Sequence, residues 1–241
     1  MPPSFAWQFP SPCYPDLAAL VQALPNPLPS WVAGLTLHHT WKPTVDQWRG
    51  ERSMAALGRF YRDTNKWAAG PHLFVGPDGV WGGTPLDRKG VHAGLCNRDR
   101  IGIEIVGDYD HAPWPPALQA RVVALCVALL HWARADERMV NGHRECLPNK
   151  SCPGDAIHMP LVRSWVGAQL FCKRFTTIAD VSNVREQARV TSAVLTQVRA
   201  GAQLPAHPVT GTYVQGSNHW VRVRLPSGRV GYIWERLGVL S

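Results

Sequence analysis

Two kinds of apolar spacing run along this chain, and the change from one to the other divides it. Leu35-Thr-Leu-His-His39 alternates with period two, which puts Leu35, Leu37 and His39 on one face of a strand and Thr36, His38 and Thr40 on the other. A second strand, Ile101-Gly-Ile-Glu-Ile-Val106, turns its isoleucines one way and Gly102, Glu104 and Val106 the other. His72 to Trp81 predicts a hairpin turned by Gly-Pro-Asp-Gly. Helical spacing dominates elsewhere. It predicts a short helix over 15–24 within a Pro-rich N-terminal arm at 1–30, and an amphipathic helix over 51–65 carrying Met54, Leu57 and Tyr61. It predicts a longer helix over 117–135 with Leu118, Val122, Leu125, Leu129 and Trp132 in one stripe, and another over 160–173. Strands alternating with helices predict an α/β domain over 31–172, with a mixed central sheet flanked by helices.

From Ile178 the texture changes. Short β-like runs, among them 181–185, 203–207, 220–225 and 229–234, are separated by turn residues and predict a small all-β barrel over 181–241, joined by a linker at 173–180.

Composition narrows the class. Of 241 residues, 45% are apolar and 17% charged, a globular balance that excludes disorder, collagen and coiled coil. The longest apolar run, Val122 to Leu130, is far short of the roughly 20 residues that span a bilayer, so no membrane insertion is expected. No basic residue precedes Lys42, and five of the first fifteen positions are proline, so neither part of a signal peptide can be drawn. The expectation is a chain kept in the cytosol unless something else releases it. Net charge is +8, and its distribution is uneven: residues 1–172 hold 16 Lys+Arg against 14 Asp+Glu, residues 173–241 hold 9 against 3. The basic tail favours a polyanionic partner. Without an export signal, the six cysteines Cys13, Cys96, Cys126, Cys146, Cys152 and Cys172 read as free thiols or metal ligands rather than a disulfide framework.

His38 points away from the leucine face of its strand. His143 and Cys152, nine positions apart in a Gly/Pro-rich loop, combine with it into three ligands for a zinc ion that keeps its fourth position for water, with Cys146 as a competing ligand. Glu104 is an acid on an otherwise apolar strand, suited to act as general base beside such a centre. Lys150, two residues before Cys152, is placed to stabilise an oxyanion.

These pieces occur in a recognisable order: His38-His-Thr40 on a strand, the His72-Leu-Phe-Val hairpin with its Asp-Gly turn, Val91-His-Ala-Gly94 with Asn97, Ile101-Gly-Ile-Glu-Ile-Val-Gly107, and Gly142-His143 leading to Lys150-Ser-Cys-Pro-Gly154. The chain thereby resembles the zinc-dependent N-acetylmuramoyl-L-alanine amidases, the superfamily of amidase-type phage lysins and peptidoglycan recognition proteins. The resemblance implies a zinc cofactor held by His38, His143 and Cys152, with Glu104 as base and Lys150 as electrophilic partner. His72 stands where many relatives carry a catalytic tyrosine; Glu104 places the chain nearer the branch that uses glutamate and leaves His72 to line the groove. His92 and Asn97 match positions implied to contact substrate. The tail resembles the bacterial SH3-like domains of cell-wall hydrolases, from Asn183-Val-Arg185 through Gly231-Tyr-Ile-Trp234, with Tyr213, Trp220, Tyr232 and Trp234 available for stacking on a ligand.

The function expected from this reading is cleavage of the amide between N-acetylmuramic acid and L-alanine of peptidoglycan by a phage endolysin. Such an enzyme waits in the host cytoplasm and reaches the wall through a holin, with a cell-wall polymer at its C-terminal domain and no nucleic acid partner. A cytosolic amidase recycling muropeptides would not need the basic tail, and a non-catalytic peptidoglycan receptor would lack the zinc cysteine.

Overall fold

The computed structural model describes residues 5–207, 213–215 and 218–241, and the chain forms two compact units, 1–166 and 167–241. The first is built on a six-stranded mixed sheet. Its strands are β1 (Cys13–Tyr14), β2 (Gly34–His39), β3 (Leu73–Gly76), β4 (Gly79–Gly82), β5 (Arg100–Ile105) and β6 (Val140–Gly142), in spatial order β1-β4-β3-β5-β2-β6. Strands β3, β5, β2 and β6 run parallel, with Leu37 level with Ile103 and Ile103 level with Leu73, while the β3–β4 hairpin turns back at Pro77-Asp78 and adds the antiparallel edge. Parallel neighbours require long crossovers, and helices supply them.

The helix α3 (Pro116–Trp132) begins with proline at its first turn, where the missing N–H costs nothing, and packs on β2 and β3. Its buried Leu118, Val122, Leu125 and Leu129 are the predicted stripe, and the equally buried Leu35, Leu37, Ile101 and Ile103 are the strand positions expected to face one side. On the opposite side, α2 (Glu51–Arg59) sends Met54 and Leu57 into a second cluster with Tyr61, Phe74, Trp81 and Trp7. The predicted helix over 51–65 loosens after Arg59 into a wider π turn at Phe60–Thr64. Trp7 belongs to a segment read as an arm, yet its ring lies 5.7 Å from Tyr61 and 5.5 Å from Phe74. Glycines make room for it: a Cβ at Gly70 would sit 2.7 Å from the indole. α1 (Leu17–Gln22) is capped by the Asp16 carboxylate, which accepts from Ala19 N. A short α4 (His143–Cys146) and α5 (Met159–Leu170) complete the helices.

The second unit is all antiparallel: β7 (Lys173–Thr177), β8 (Val181–Arg185), β9 (Val194–Arg199), β10 (Gln203–Ala206), β11 (Tyr213–Gln215), β12 (Asn218–Arg224), β13 (Val230–Trp234) and β14 (Gly238–Leu240). Phe175, Val184, Leu204, Ala206, Val221, Val223 and Ile233 from five of these strands share one core, so the sheet curls around them. Among the aromatic residues expected to stack on a ligand, Trp220 is only 2% exposed, Tyr232 and Trp234 are half-buried, and the side chain of Tyr213 lies outside the described residues.

Two expectations are corrected here. Lys173–Thr177 falls in the stretch read as a linker but pairs with β10 and β14, because Phe175 and Thr177 alternate inward and give it a buried face. The cysteines are not all free: Cys96 and Cys146, fifty residues apart, meet in a disulfide with Cα atoms 6.0 Å apart, which removes Cys146 as a rival ligand. Cys13, Cys126, Cys152 and Cys172 are free thiols.

Replacing Trp7 by alanine should destabilise the first unit by about 3–5 kcal/mol, the cost of emptying a large aromatic site. Urea unfolding of the full chain checks this; a loss below about 1 kcal/mol would show the N-terminal segment to be peripheral to the core.

Candidate active site

His38 on β2 and Glu104 on β5 are level with one another in the parallel ladder, and Phe74 on β3 is level with Glu104, so all three side chains project from the face opposite the leucines. The predicted face assignment of the two strands is therefore realised. Gly102, two positions before Glu104, leaves the space that the His92 ring fills: a Cβ there would lie 2.6 Å from it.

A chain of hydrogen bonds fixes the protons on this face. The carbonyl of Arg100 can only accept, so His92 Nε2, 3.3 Å away, carries the hydrogen. Burial pushes the His92 pKa down to about 3, so the ring is neutral and its Nδ1 is an acceptor. His38 Nε2, 3.0 Å from that nitrogen, therefore donates to it. Burial also holds His38 well below the usual histidine range, assisted by repulsion from His92 and His143, so it too is neutral and its Nδ1 is left as a bare lone pair.

That lone pair faces His143 Nδ1 at 3.1 Å and Cys152 Sγ at 3.6 Å. The three donor atoms form a group compact enough to hold a metal ion, all within 4.8 Å of one another. Two metal–nitrogen bonds of about 2.05 Å at a tetrahedral angle separate the nitrogens by about 3.3 Å, and a sulfur at about 2.3 Å lies about 3.6 Å from a nitrogen. The observed spacings fit zinc, as does a donor set of two neutral imidazoles and a thiol. Burial raises the Cys152 thiol, with Glu104 adding to the effect, so this sulfur holds its proton until a cation arrives. His143 Nε2 is buried without a partner.

Glu104 is 7% exposed, its Oε2 has no partner, and burial raises its pKa to about 8. Lys150 is exposed in the loop after α4; together with the stronger effect of burial, its charge lowers the His143 pKa. His72 is fully buried with both nitrogens engaged: Nδ1 accepts from Gly102 N at 2.9 Å, and Nε2 lies 3.0 Å from Arg88 O. One side of it borders a cavity of about 300 Å³ shared with Gln8, Tyr14 and Thr84. Asn97 spends its side-chain oxygen inside its own loop, accepting from the backbone of His92 and Ala93 at 2.9 and 2.7 Å.

The sequence reading missed the residues that hold the Cys152 loop. Asp110 accepts from Ser151 Oγ at 2.7 Å and from Asp155 N at 3.2 Å. From the other side the Arg144 guanidinium donates to the carbonyls of Ser151, Gly154 and Ile157. Gly154, at φ +103°, lies so close to Tyr109 that a Cβ would fall 2.5 Å from its carbonyl carbon. The Pro-Gly after Cys152 was the visible signal for this contact; nothing in the pattern marked Asp110 or Arg144. His39, Asp108 and Asp110 also cluster. His39 Nδ1 accepts from Tyr109 N at 3.0 Å, however, so its Nε2 carries the proton and faces Asp110 as a donor rather than a ligand.

The sheet, with helices on both faces, thus carries a His/His/Cys group that could hold a metal ion beside a buried carboxylate. Residues 28–155 match the family model described as N-acetylmuramoyl-L-alanine amidase, more than half of the chain, and the protein belongs to that family. Residues 180–238 match the bacterial SH3 domain. No curated protein matches the chain. Among solved structures, it is similar to wild-type Drosophila PGRP-LB (24% identity, 56% of this chain and 82% of that one, TM-score 0.48). It is also similar to the N-acetylmuramoyl-L-alanine amidase LysC from Clostridium intestinale URNW (18% identity, 59% and 89%, TM-score 0.48). A further likeness is to Drosophila peptidoglycan recognition protein SD (22% identity, 60% and 84%, TM-score 0.49).

The buried groups predict how stability of the metal-free protein follows pH. His72 and His92 titrate at about 4 and about 3 when folded and near 6.5 when unfolded, so the unfolded chain takes up protons first and stability falls as pH drops below 6.5. Glu104 acts in the opposite sense: folded, it keeps its proton up to about 8, against 4.5 when exposed, so its contribution is full below 4.5 and is lost as pH rises to 8. Urea midpoints of Glu104→Gln should therefore be flatter than wild type between these limits; an identical slope would mean that Glu104 is not buried as a neutral acid.

Proposed function

We propose that the first unit is a zinc amidase which hydrolyses the bond between the lactyl group of N-acetylmuramic acid and L-alanine in peptidoglycan, and that the SH3 unit delivers it to the wall, as in a phage endolysin. The observation that carries this reading is the bare His38 Nδ1, aimed at His143 and Cys152 with tetrahedral spacing and level with Glu104 across the ladder.

His38, His143 and Cys152 would hold the ion. Zinc, when bound, supplies a Lewis acid that acidifies water and polarises the scissile carbonyl. Glu104, which burial keeps protonated, would ionise beside such a cation. Glu104 then takes a proton from the attacking water at Oε2 and returns it to the leaving nitrogen of L-alanine, so that water and amide become acid and amine. Lys150, whose charge is felt at His143, offsets the negative charge that develops on the carbonyl oxygen. His92 fixes the His38 ring rather than touching substrate, and Asn97 fixes the His92 loop.

The second unit carries 9 basic against 3 acidic residues over 173–241, a field suited to an anionic cell-wall polymer. Among the described residues no helix is long and apolar enough to cross a membrane, so on the endolysin reading a holin supplies the passage from the host cytoplasm to the wall.

Mass spectrometry of peptidoglycan digested by the purified protein should reveal new L-alanine amino groups and no new reducing sugar ends; reducing ends rising in step with solubilisation would reject the amidase reading. Cys152→Ala should lose the metal. Glu104→Gln should retain it and lose on the order of 10² or more in turnover, the scale of a general base; near-normal turnover would move the base elsewhere.

Wall binding should weaken as salt rises, because exposed charges are screened over about 8 Å at physiological ionic strength, while hydrolysis of a small soluble muropeptide should change little. A chain truncated after Leu170, before β7, should keep the second activity and lose wall affinity; if it clears walls as fast as the full chain, the SH3 unit does not target.

A further inference from the structure

Disulfide Cys96–Cys146 closes a ring of contacts around the metal-binding group. From His92 the chain runs four residues to Cys96, crosses the S–S bond to Cys146, and runs back three residues through α4 to His143. His143 then meets His38 at 3.1 Å, and His38 meets His92 at 3.0 Å. Asn97 folds the first arc of this ring through its bonds to His92 N and Ala93 N. The second arc, α4, is a single turn of four residues, too short to persist as an isolated helix.

His143 needs such support more than the other two ligands. His38 sits inside a parallel sheet, and the Cys152 loop is held from both sides by Asp110 and Arg144. The imidazole of His143 has no hydrogen-bond partner at Nε2, so its direction is set by where the backbone of α4 lies. That backbone is fixed at the Glu145 side chain, which pairs with Arg163 at 2.9 Å and accepts from Gly142 N at 2.8 Å, and at Cys146 by the disulfide. Cys146 Sγ also lies 3.9 Å from Thr36 Oγ1, one of the side chains on the His38 face of β2. Reduction would thus free the second anchor of α4 and leave a soft thiol one turn away from a metal ligand.

We propose that the Cys96–Cys146 disulfide positions His143, so that this protein binds zinc at full affinity only in its oxidised form. The inference rests on the zinc reading above. Opening the bond takes two electrons and two protons: a phosphine reductant and one water give the phosphine oxide and the two thiols, and a disulfide-bearing oxidant such as oxidised glutathione reverses the change. In a reducing cytosol the chain is then poorly charged with metal, and it gains its full affinity on the oxidising side of a membrane, where such a bond persists. Linkage makes the effect reciprocal: whatever factor the disulfide adds to zinc affinity, bound zinc adds to the resistance of the disulfide to reduction.

The test uses the full chain in three forms: oxidised, reduced by a phosphine, and as the double variant Cys96→Ser/Cys146→Ser. Zinc affinity is measured by competition with a chromophoric chelator, and circular dichroism monitors the fold. The expected result is a 10–100-fold weaker zinc affinity in the second and third forms with unchanged secondary structure, the range for groups that orient a ligand. As a measurement that does not depend on the variant, the ratio of oxidised to reduced Cys96/Cys146 pair, read by alkylation and mass spectrometry in glutathione buffers, should shift by the same factor when saturating zinc is added. Equal zinc affinity of the oxidised and reduced forms, with no zinc-dependent shift in the glutathione equilibrium, would overturn the proposal while leaving the zinc reading standing. Failure of every form to bind zinc would overturn both.

Discussion

A backbone carbonyl decides the chemistry of this site. Because Arg100 O can only accept, the proton of His92 is fixed on Nε2, that of His38 is fixed on Nε2 in turn, and one nitrogen of His38 is left with a lone pair and no hydrogen. The relay works only while both rings stay neutral, and burial ensures this by making a charged imidazole costly. It also works only while Gly102 has no side chain, since the space above it is where His92 lies. A strand register, a glycine and a carbonyl thus combine to prepare a ligand before any metal is bound.

The remaining donors are brought to that lone pair by loops, and each loop is fixed by different means. The Cys152 turn is held through hydrogen bonds accepted by Asp110 and donated by Arg144, and by close backbone packing of Gly154 on Tyr109. The His143 turn is held by the Glu145–Arg163 pair and a covalent bridge. Loops carry chemistry because a rigid sheet below them supplies the reference frame. Here that frame is the parallel strands β3, β5 and β2 with β6 beside them, whose other face is sealed by isoleucine and leucine against α3.

The second unit is stabilised differently. It has its own core, drawn from five of its strands, and its charged residues are 9 basic against 3 acidic over 173–241. Arg224 stacks over Phe171 at 4.2 Å, so part of its positive charge is committed to internal packing. The division of labour follows from this: the first unit carries directed chemistry, the second a diffuse field.

Periodicity in the sequence was enough to determine the main elements of both units and the faces on which His38 and Glu104 lie, because strand alternation is a local property of the backbone that any sheet must obey. It also supplied the candidate ligands, since His, Cys, Glu and Lys are rare enough in such strands and loops to be noticed. What only the tertiary structure decided were the relations between distant segments. Cys96 and Cys146 carry no mark of their pairing, Asp110 and Arg144 look like ordinary loop charges, and Trp7 lies in a stretch whose prolines suggest a loose arm. Lys173–Thr177 is too short and too polar to announce itself as a strand until β10 and β14 flank it. Each of these depends on which surfaces meet once the chain has closed on itself. Local spacing encodes the direction in which a side chain points, whereas its partner is set by contacts between segments far apart in sequence.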